Sequence, residues 1–116
     1  MAATAPPRTS QLGVAAARFF RVLGDPTRLA ILELLLERPH TVSELVEATG
    51  SRQSTVSNHL ACLRWCHFVE DERKGRQVTY RIGDPRIGAF LAASRELTEE
   101  HCEHLATCKR IGPDWI

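Results

Sequence analysis

The sequence has no run of eighteen or more apolar residues, so no part of it is expected to span a bilayer. Its opening, MAATAPPRTS, carries no apolar core of the kind that leads export, and the expected location is the cytoplasm. Three further absences bear on function: a Cys-x-x-Cys pair, a glycine-rich phosphate loop, and any alternation of strand and helix patterns. Together they argue against a thiol-dependent enzyme such as a small reductase, and no small-molecule substrate is expected. Net charge is scarce too, at +1. That does not exclude a nucleic-acid binder, because cations gathered on one face suffice. At 116 residues the chain has room for one core and not for two.

Four cysteines are present. In a reducing compartment they point to metal or redox chemistry more than to a disulfide framework, the ordinary alternative being small hydrophobes in a core. Two of them, Cys62 and Cys66, lie four residues apart in TVSNHLACLRWCHFVED, one helical turn from each other.

Residues 1–10, rich in Ala, Pro and Thr, read as a mobile arm, residues 11–108 as the folded domain, and residues 109–116 as a tail. QLGVAAARFFRVLG spaces Val14, Ala17, Phe20 and Leu23 as a helix ending at Gly24. DPTRLAILELLLERPH starts another, with Asp25 as cap and Pro26 at the first helical position. Its Leu29, Ile31, Leu32 and Leu35 supply a broad buried face. TVSELVEATG opens on a capping box, Thr41 with Glu44, and ends at Gly50. SRQSTVSNHLACLRWC restarts at Ser51 with Val56, Leu60 and Leu63 at one-turn intervals.

Two short helices joined by a glycine turn, the second opening on Arg and Gln, form the helix-turn-helix pattern. HFVEDERKGRQVTYRI then alternates on both sides of Gly75, a β-hairpin whose basic tip forms a wing. Lys74 and Arg76 there would meet phosphate. From Asp84 and Pro85 a long last helix carries Ile87, Phe90, Leu91, Leu97 and Leu105. That stripe exceeds what so small a domain needs and suggests a dimer face. The expected fold is mainly α with a small β-hairpin, a homodimeric winged helix-turn-helix.

With these motifs, LGDPTRLAILELL and STVSNHLACLRWCHFVEDERKGRQVTYRI, the chain resembles the ArsR/SmtB family of winged-helix repressors over roughly residues 14–105. The resemblance implies a homodimer packed through the first and last helices, binding a palindromic operator and released by an effector, usually a metal ion. At about 100° per residue, Val56, Leu60 and Leu63 fall within about 60° of one another and face the core. Arg52, Gln53, Ser54, Ser57 and Asn58 fall elsewhere, near the end that enters the major groove. Arg52 and Gln53 suit guanine and adenine edges, and the serines and Asn58 suit phosphate or base.

Neither of two metal sites common in the family has its residues here. TVSELVEATG lacks the cysteines of one, and the Asp84 segment lacks the first histidine of the other. Cys62 and Cys66 instead resemble the pair of the cadmium- and lead-sensing CmtR-like branch, in which a third thiolate comes from the C-terminal segment of the other subunit. Cys102 or Cys108 would serve, with Cys102 favoured because it lies on the predicted helix. His59 shares a face with Cys66 and could be a ligand, though a local packing or hydrogen-bonding role is preferred, and His101 and His104 are expected to be solvated or to support the ligands through hydrogen bonds. Thiolate ligands select Cd²⁺, Pb²⁺, Hg²⁺ or As(III), and they also bind Zn²⁺. A thiol redox switch on the same fold is the competing reading.

Overall fold

Four of the six described helices start behind a side-chain cap. In the computed structural model, which describes residues 10–110, α1 spans Gln11–Leu23 behind an N-cap, Ser10, whose hydroxyl accepts from the Gly13 N–H. The expected arm thus lies outside the described residues except for Ser10, as does the tail beyond residue 110. The α2 helix, Pro26–Glu37, starts with Pro26 in its first turn behind Asp25, whose carboxylate accepts from the Arg28 N–H at 3.0 Å. For α3, Val42–Thr49, Thr41 and Glu44 satisfy each other's N–H groups at 2.9 and 3.2 Å, the expected capping box. Such caps contribute about 1 kcal/mol each. Gly50 closes α3 at a φ of 70°, where any other residue would be strained.

The second helix of the helix-turn-helix, α4, spans Gln53–Trp65, two residues later than the restart expected at Ser51. Arg52 keeps an extended backbone as the N-cap, so it precedes the helix instead of lying on it. Strands β2, Val69–Lys74, and β3, Gln77–Ile82, pair antiparallel with Lys74 opposite Gln77, leaving Gly75 and Arg76 as the two-residue loop. Gly75 takes the positive φ, 64°, that such a loop needs at its first position. A third strand was not expected. His40 and Thr41 form β1 beside Tyr80 and Thr79, giving the sheet order β1-β3-β2.

Ile31, Leu32, Leu45, Val56, Leu60 and Leu63 are wholly buried and form the centre of the core. Each contributes on the order of 1.5–3 kcal/mol. Phe19 of α1 packs between Phe68 and Phe90, with ring centroids 5.1 and 5.4 Å away.

The C-terminal region departs from expectation in two ways. The expected single long helix is broken into α5, Pro85–Glu100, and α6, Cys102–Thr107. Before the break, the Thr98 hydroxyl bonds back to the Ser94 carbonyl at 2.7 Å, a local bond that bends helices, and Glu99 and Glu100 crowd the negative end of the helix dipole. The apolar stripe is also divided. Ile87 and Leu91 are buried in the protomer's own core, whereas Leu97 and Leu105 are exposed. At the start of α5, hydrogen bonds from Arg86 hold the Asp84 carboxyl down at about 2. No described helix is long and apolar enough to cross a membrane.

Candidate nucleic-acid interface and thiol pair

The α3–α4 turn presents Arg52, Gln53, Ser54 and Asn58 to solvent, with Ser57 half-buried beside them. No acidic residue stands in the first turn of α4, and Arg52 makes no side-chain cap, so the first N–H groups remain available to an anion. The same helix buries Val56, Leu60 and Leu63 completely, so its polar and apolar faces divide as the angular spacing predicts.

The wing is less basic than its tip suggests. Glu70, Asp71 and Glu72 lie along β2, but Arg81 pairs with Glu70 and Glu72 at 3.0 and 3.1 Å, and Arg64 pairs with Asp71 at 3.0 Å. At the tip, Lys74 stands 3.5 Å from Glu72 with its side chain 84% exposed, a contact weak enough to exchange for phosphate. Arg76 is exposed and makes no salt bridge among the described residues.

Cys62 is half-buried on α4 and Cys66 is the C-cap of the same helix. The Cys66 N–H donates to the Cys62 carbonyl at 3.0 Å, completing the last α-helical turn. Beyond Cys66 the chain reverses sharply. The His67 N–H donates to Arg64 and the Phe68 N–H to Leu63, at 3.1 and 2.9 Å, with His67 at a φ of 65°. This is a Schellman closure in which histidine occupies the position that usually takes glycine, and it fixes Cys66 at the mouth of an apolar cleft. The cleft, about 610 Å³, is lined by Val14, Ala15, Phe19, Val22, Cys66 and Phe68, with Gln11 and Arg18 beside them.

Burial first, and then the adjacent Cys62 thiol, push the Cys66 pKa above its usual value, while the Arg28 guanidinium opposes the shift. Both sulfurs are thus brought together in a setting that keeps Cys66 protonated at neutral pH. Among the described residues no group of three His, Cys, Asp or Glu side chains in one protomer is placed to hold a metal ion. Cys102 begins α6 and lines a different cleft, between α2 and α5, alongside Glu33 and Arg95. Cys108 ends α6 and is half-buried. His101 and His104 are exposed.

Sequence reasoning offered His59 as a ligand or, in preference, as a locally bonded side chain. The structure places its ring between two charged groups, Nδ1 3.4 Å from Arg28 Nη1 and Nε2 3.8 Å from Asp25 Oδ1. Burial would raise the Asp25 pKa, but hydrogen bonding from the Arg28 N–H and the charges of His59 and Arg28 hold it below the ordinary value. Asp25 and Arg28 both belong to the DPTRL motif, the one signal that could have drawn attention to this group.

A sequence model of the bacterial regulatory protein arsR family matches residues 25–71, from the cap of α2 through the reading helix into the wing. Over 95 residues the chain is 42% identical to a probable mercury resistance operon repressor from Streptomyces lividans, a match covering 82% of this chain and 76% of that protein. Over 77 residues it is 43% identical to the HTH-type transcriptional regulator CmtR of Mycobacterium tuberculosis, covering 66% of this chain and 65% of that regulator. The fold is similar to the homodimeric winged helix-turn-helix DNA-binding domain Mb0332 from Mycobacterium bovis, with a TM-score of 0.74 and 32% identity, covering 90% of this chain and 95% of that domain. The chain therefore belongs to the ArsR family of bacterial regulatory proteins, winged helix-turn-helix transcriptional regulators and not enzymes.

Proposed function

We propose that this protein is a metal-responsive repressor that binds a palindromic operator as a homodimer and leaves it when a soft, thiophilic ion is captured at Cys62 and Cys66. The observation that carries the reading is the placement of two adjacent thiols at the C-terminal end of the helix whose other end presents Arg52 and Gln53 to solvent. The relatives named for mercury resistance and for CmtR support a metal effector.

The donor set fits such an ion. Two sulfurs are soft ligands, one half-buried and one at a cleft mouth, and both can lose their protons to a metal at neutral pH. Cys62 and Cys66 would hold the ion together with Cys102 or Cys108 of a second copy, since no third donor joins the pair within one protomer among the described residues. Cys102 is preferred because it lies at the start of exposed α6. An ion held by these residues would supply a cross-link between the reading helix and the partner. Cd²⁺, Pb²⁺ and Hg²⁺ all suit sulfur donors, and Zn²⁺ and As(III) remain in the comparison.

The residues themselves do the rest. The Schellman turn at His67 holds Cys66 on the end of α4, so a pull on Cys66 is a pull on the reading helix. The dimer is inferred from apolar side chains left exposed on α1 and α5, Leu12, Val14, Phe20 and Leu97. Phe20 and Phe90 stand 5.8 Å apart, so the exposed faces of α1 and α5 form one surface. The testing experiment is a titration of Cd²⁺, Pb²⁺, Hg²⁺, Zn²⁺ and arsenite against the protein on operator DNA under a phosphine reductant. Release by a soft ion supports the reading. No release under reductant, with release on oxidation of a parallel reductant-free sample, would favour the thiol redox switch, which the same adjacent thiols permit.

A further inference from the structure

Arg28 joins three helices at one point. From the first turn of α2 its Nε donates to the Val22 carbonyl at 2.6 Å and its Nη2 to the Arg21 carbonyl at 3.4 Å, so it caps the last turn of α1. Its Nη1 faces His59 Nδ1 on α4 at 3.4 Å. A guanidinium has no acceptor, so when the ring is neutral Nδ1 accepts from Arg28 and Nε2 carries the N–H that faces Asp25. Asp25 Oδ1 is in turn held by the Arg28 N–H at 3.0 Å. His59, Cys62 and Cys66, spaced three and four residues apart, lie within about 60° of one another on α4. The face that carries the thiols is therefore the face that Arg28 grips.

We propose that Arg28, acting through His59, is the positioning residue that couples the thiol pair to α1 and so to the geometry of the dimer. This rests on the metal-responsive reading above. The physical argument is the rigidity of the fork. Three nitrogens of one planar group are committed to α1 carbonyls and to α4, so α4 cannot shift at its thiol-bearing end without loosening the α1 cap. Because α1 bears the exposed apolar side chains Leu12, Val14 and Phe20, displacing it alters how two copies are set. The separation of two reading helices decides whether both half-sites can be reached at once.

Lysine keeps the charge but cannot bridge three acceptors, so Arg28→Lys is the informative variant, with His59→Ala as an independent break of the same link. The full chain is titrated with Cd²⁺ under a phosphine reductant. Near-ultraviolet sulfur-to-metal absorbance reports capture, and operator affinity is measured with and without the ion. The expected result is wild-type absorbance, metal-free operator affinity within about three-fold of wild type, and a metal-induced loss of affinity at least about ten-fold smaller than wild type in both variants. A loss equal to that of wild type overturns the inference. So does disappearance of the absorbance in Arg28→Lys, which would make Arg28 a support of the site and not its link to α1. Should wild type itself capture no Cd²⁺ or keep its operator affinity, the metal-responsive reading fails first, and the wild-type arm shows it. Circular dichroism identifies a variant that has not folded, and the other then decides.

Discussion

The Phe68 N–H reaches back to the Leu63 carbonyl at 2.9 Å, and this one bond turns the chain off the reading helix directly behind the thiol pair. Leu63 is wholly buried and Phe68 nearly so, so the hydrophobic contact that accompanies such closures is present. The residue between them and Cys66 bears the cost. His67 sits at a φ of 65°, where a β-carbon is disfavoured by roughly 1–2 kcal/mol.

His67→Gly should therefore stabilise the protein by about 1 kcal/mol, less the extra freedom glycine has when unfolded. The side chain is exposed, so no packing is lost. Urea unfolding of wild type and variant measures the difference. A drop in midpoint would show that His67 makes a contact worth more than the strain it carries.

Arg52→Ala and Gln53→Ala should each weaken operator binding by about 1–3 kcal/mol and relax base preference. Lys74→Ala and Arg76→Ala should weaken all sequences alike and flatten the salt dependence, by about one unit of slope each. Binding measured over a salt series on operator and scrambled duplexes separates the two behaviours. Altered base preference in Lys74→Ala, with the salt slope intact, would contradict the wing assignment.

Leu97→Glu places a charge on the exposed face of α5 and should dissociate the dimer and abolish binding to a full operator, with the core untouched. Leu91→Glu would not be a clean test, because Leu91 is buried in the protomer and a charge there unfolds it. Sedimentation of Leu97→Glu gives the answer. A monomer that still holds a full operator would refute the dimer.

How much of this was legible beforehand depended on distance along the chain. The caps at Asp25 and Thr41, the glycine turn at Gly75 and the faces of α4 are decided by neighbours within one or two turns, and each formed as its residues indicated. Strand β1 is two residues long and exists only because β3 lies beside it, so no local pattern announced it. The apolar stripe of α5 was visible, but which half of it meets the core and which half meets solvent is set by packing against α1 and α2. Arg28 looked like an ordinary helix residue because its partners stand six, seven and thirty-one residues away. The closeness of Cys62 and Cys66 could be read from spacing, whereas no third donor joins them within one protomer among the described residues.

Metal capture should also depend on pH with a definite sign. The Cys66 pKa lies above its usual 9.0, so near neutrality the thiol is protonated before capture and must lose that proton. Apparent affinity should rise with pH between 6 and 8, by up to about ten-fold per pH unit for each thiol proton released. Competition against a chelator of known proton dependence measures the slope. A flat profile would mean that the sulfurs are not the ligands.

The most direct measurement is metal-triggered operator release in wild type beside the Cys62→Ser/Cys66→Ser double variant, with near-ultraviolet absorbance recorded on the same samples. Serine offers no thiolate to a soft ion, and Arg52 and Gln53 lie at the other end of α4. The double variant should bind operator without metal as wild type does, show no sulfur-to-metal absorbance, and stay bound when the ion is added. Unchanged absorbance together with unchanged release in that variant would contradict the sensor site placed at Cys62 and Cys66.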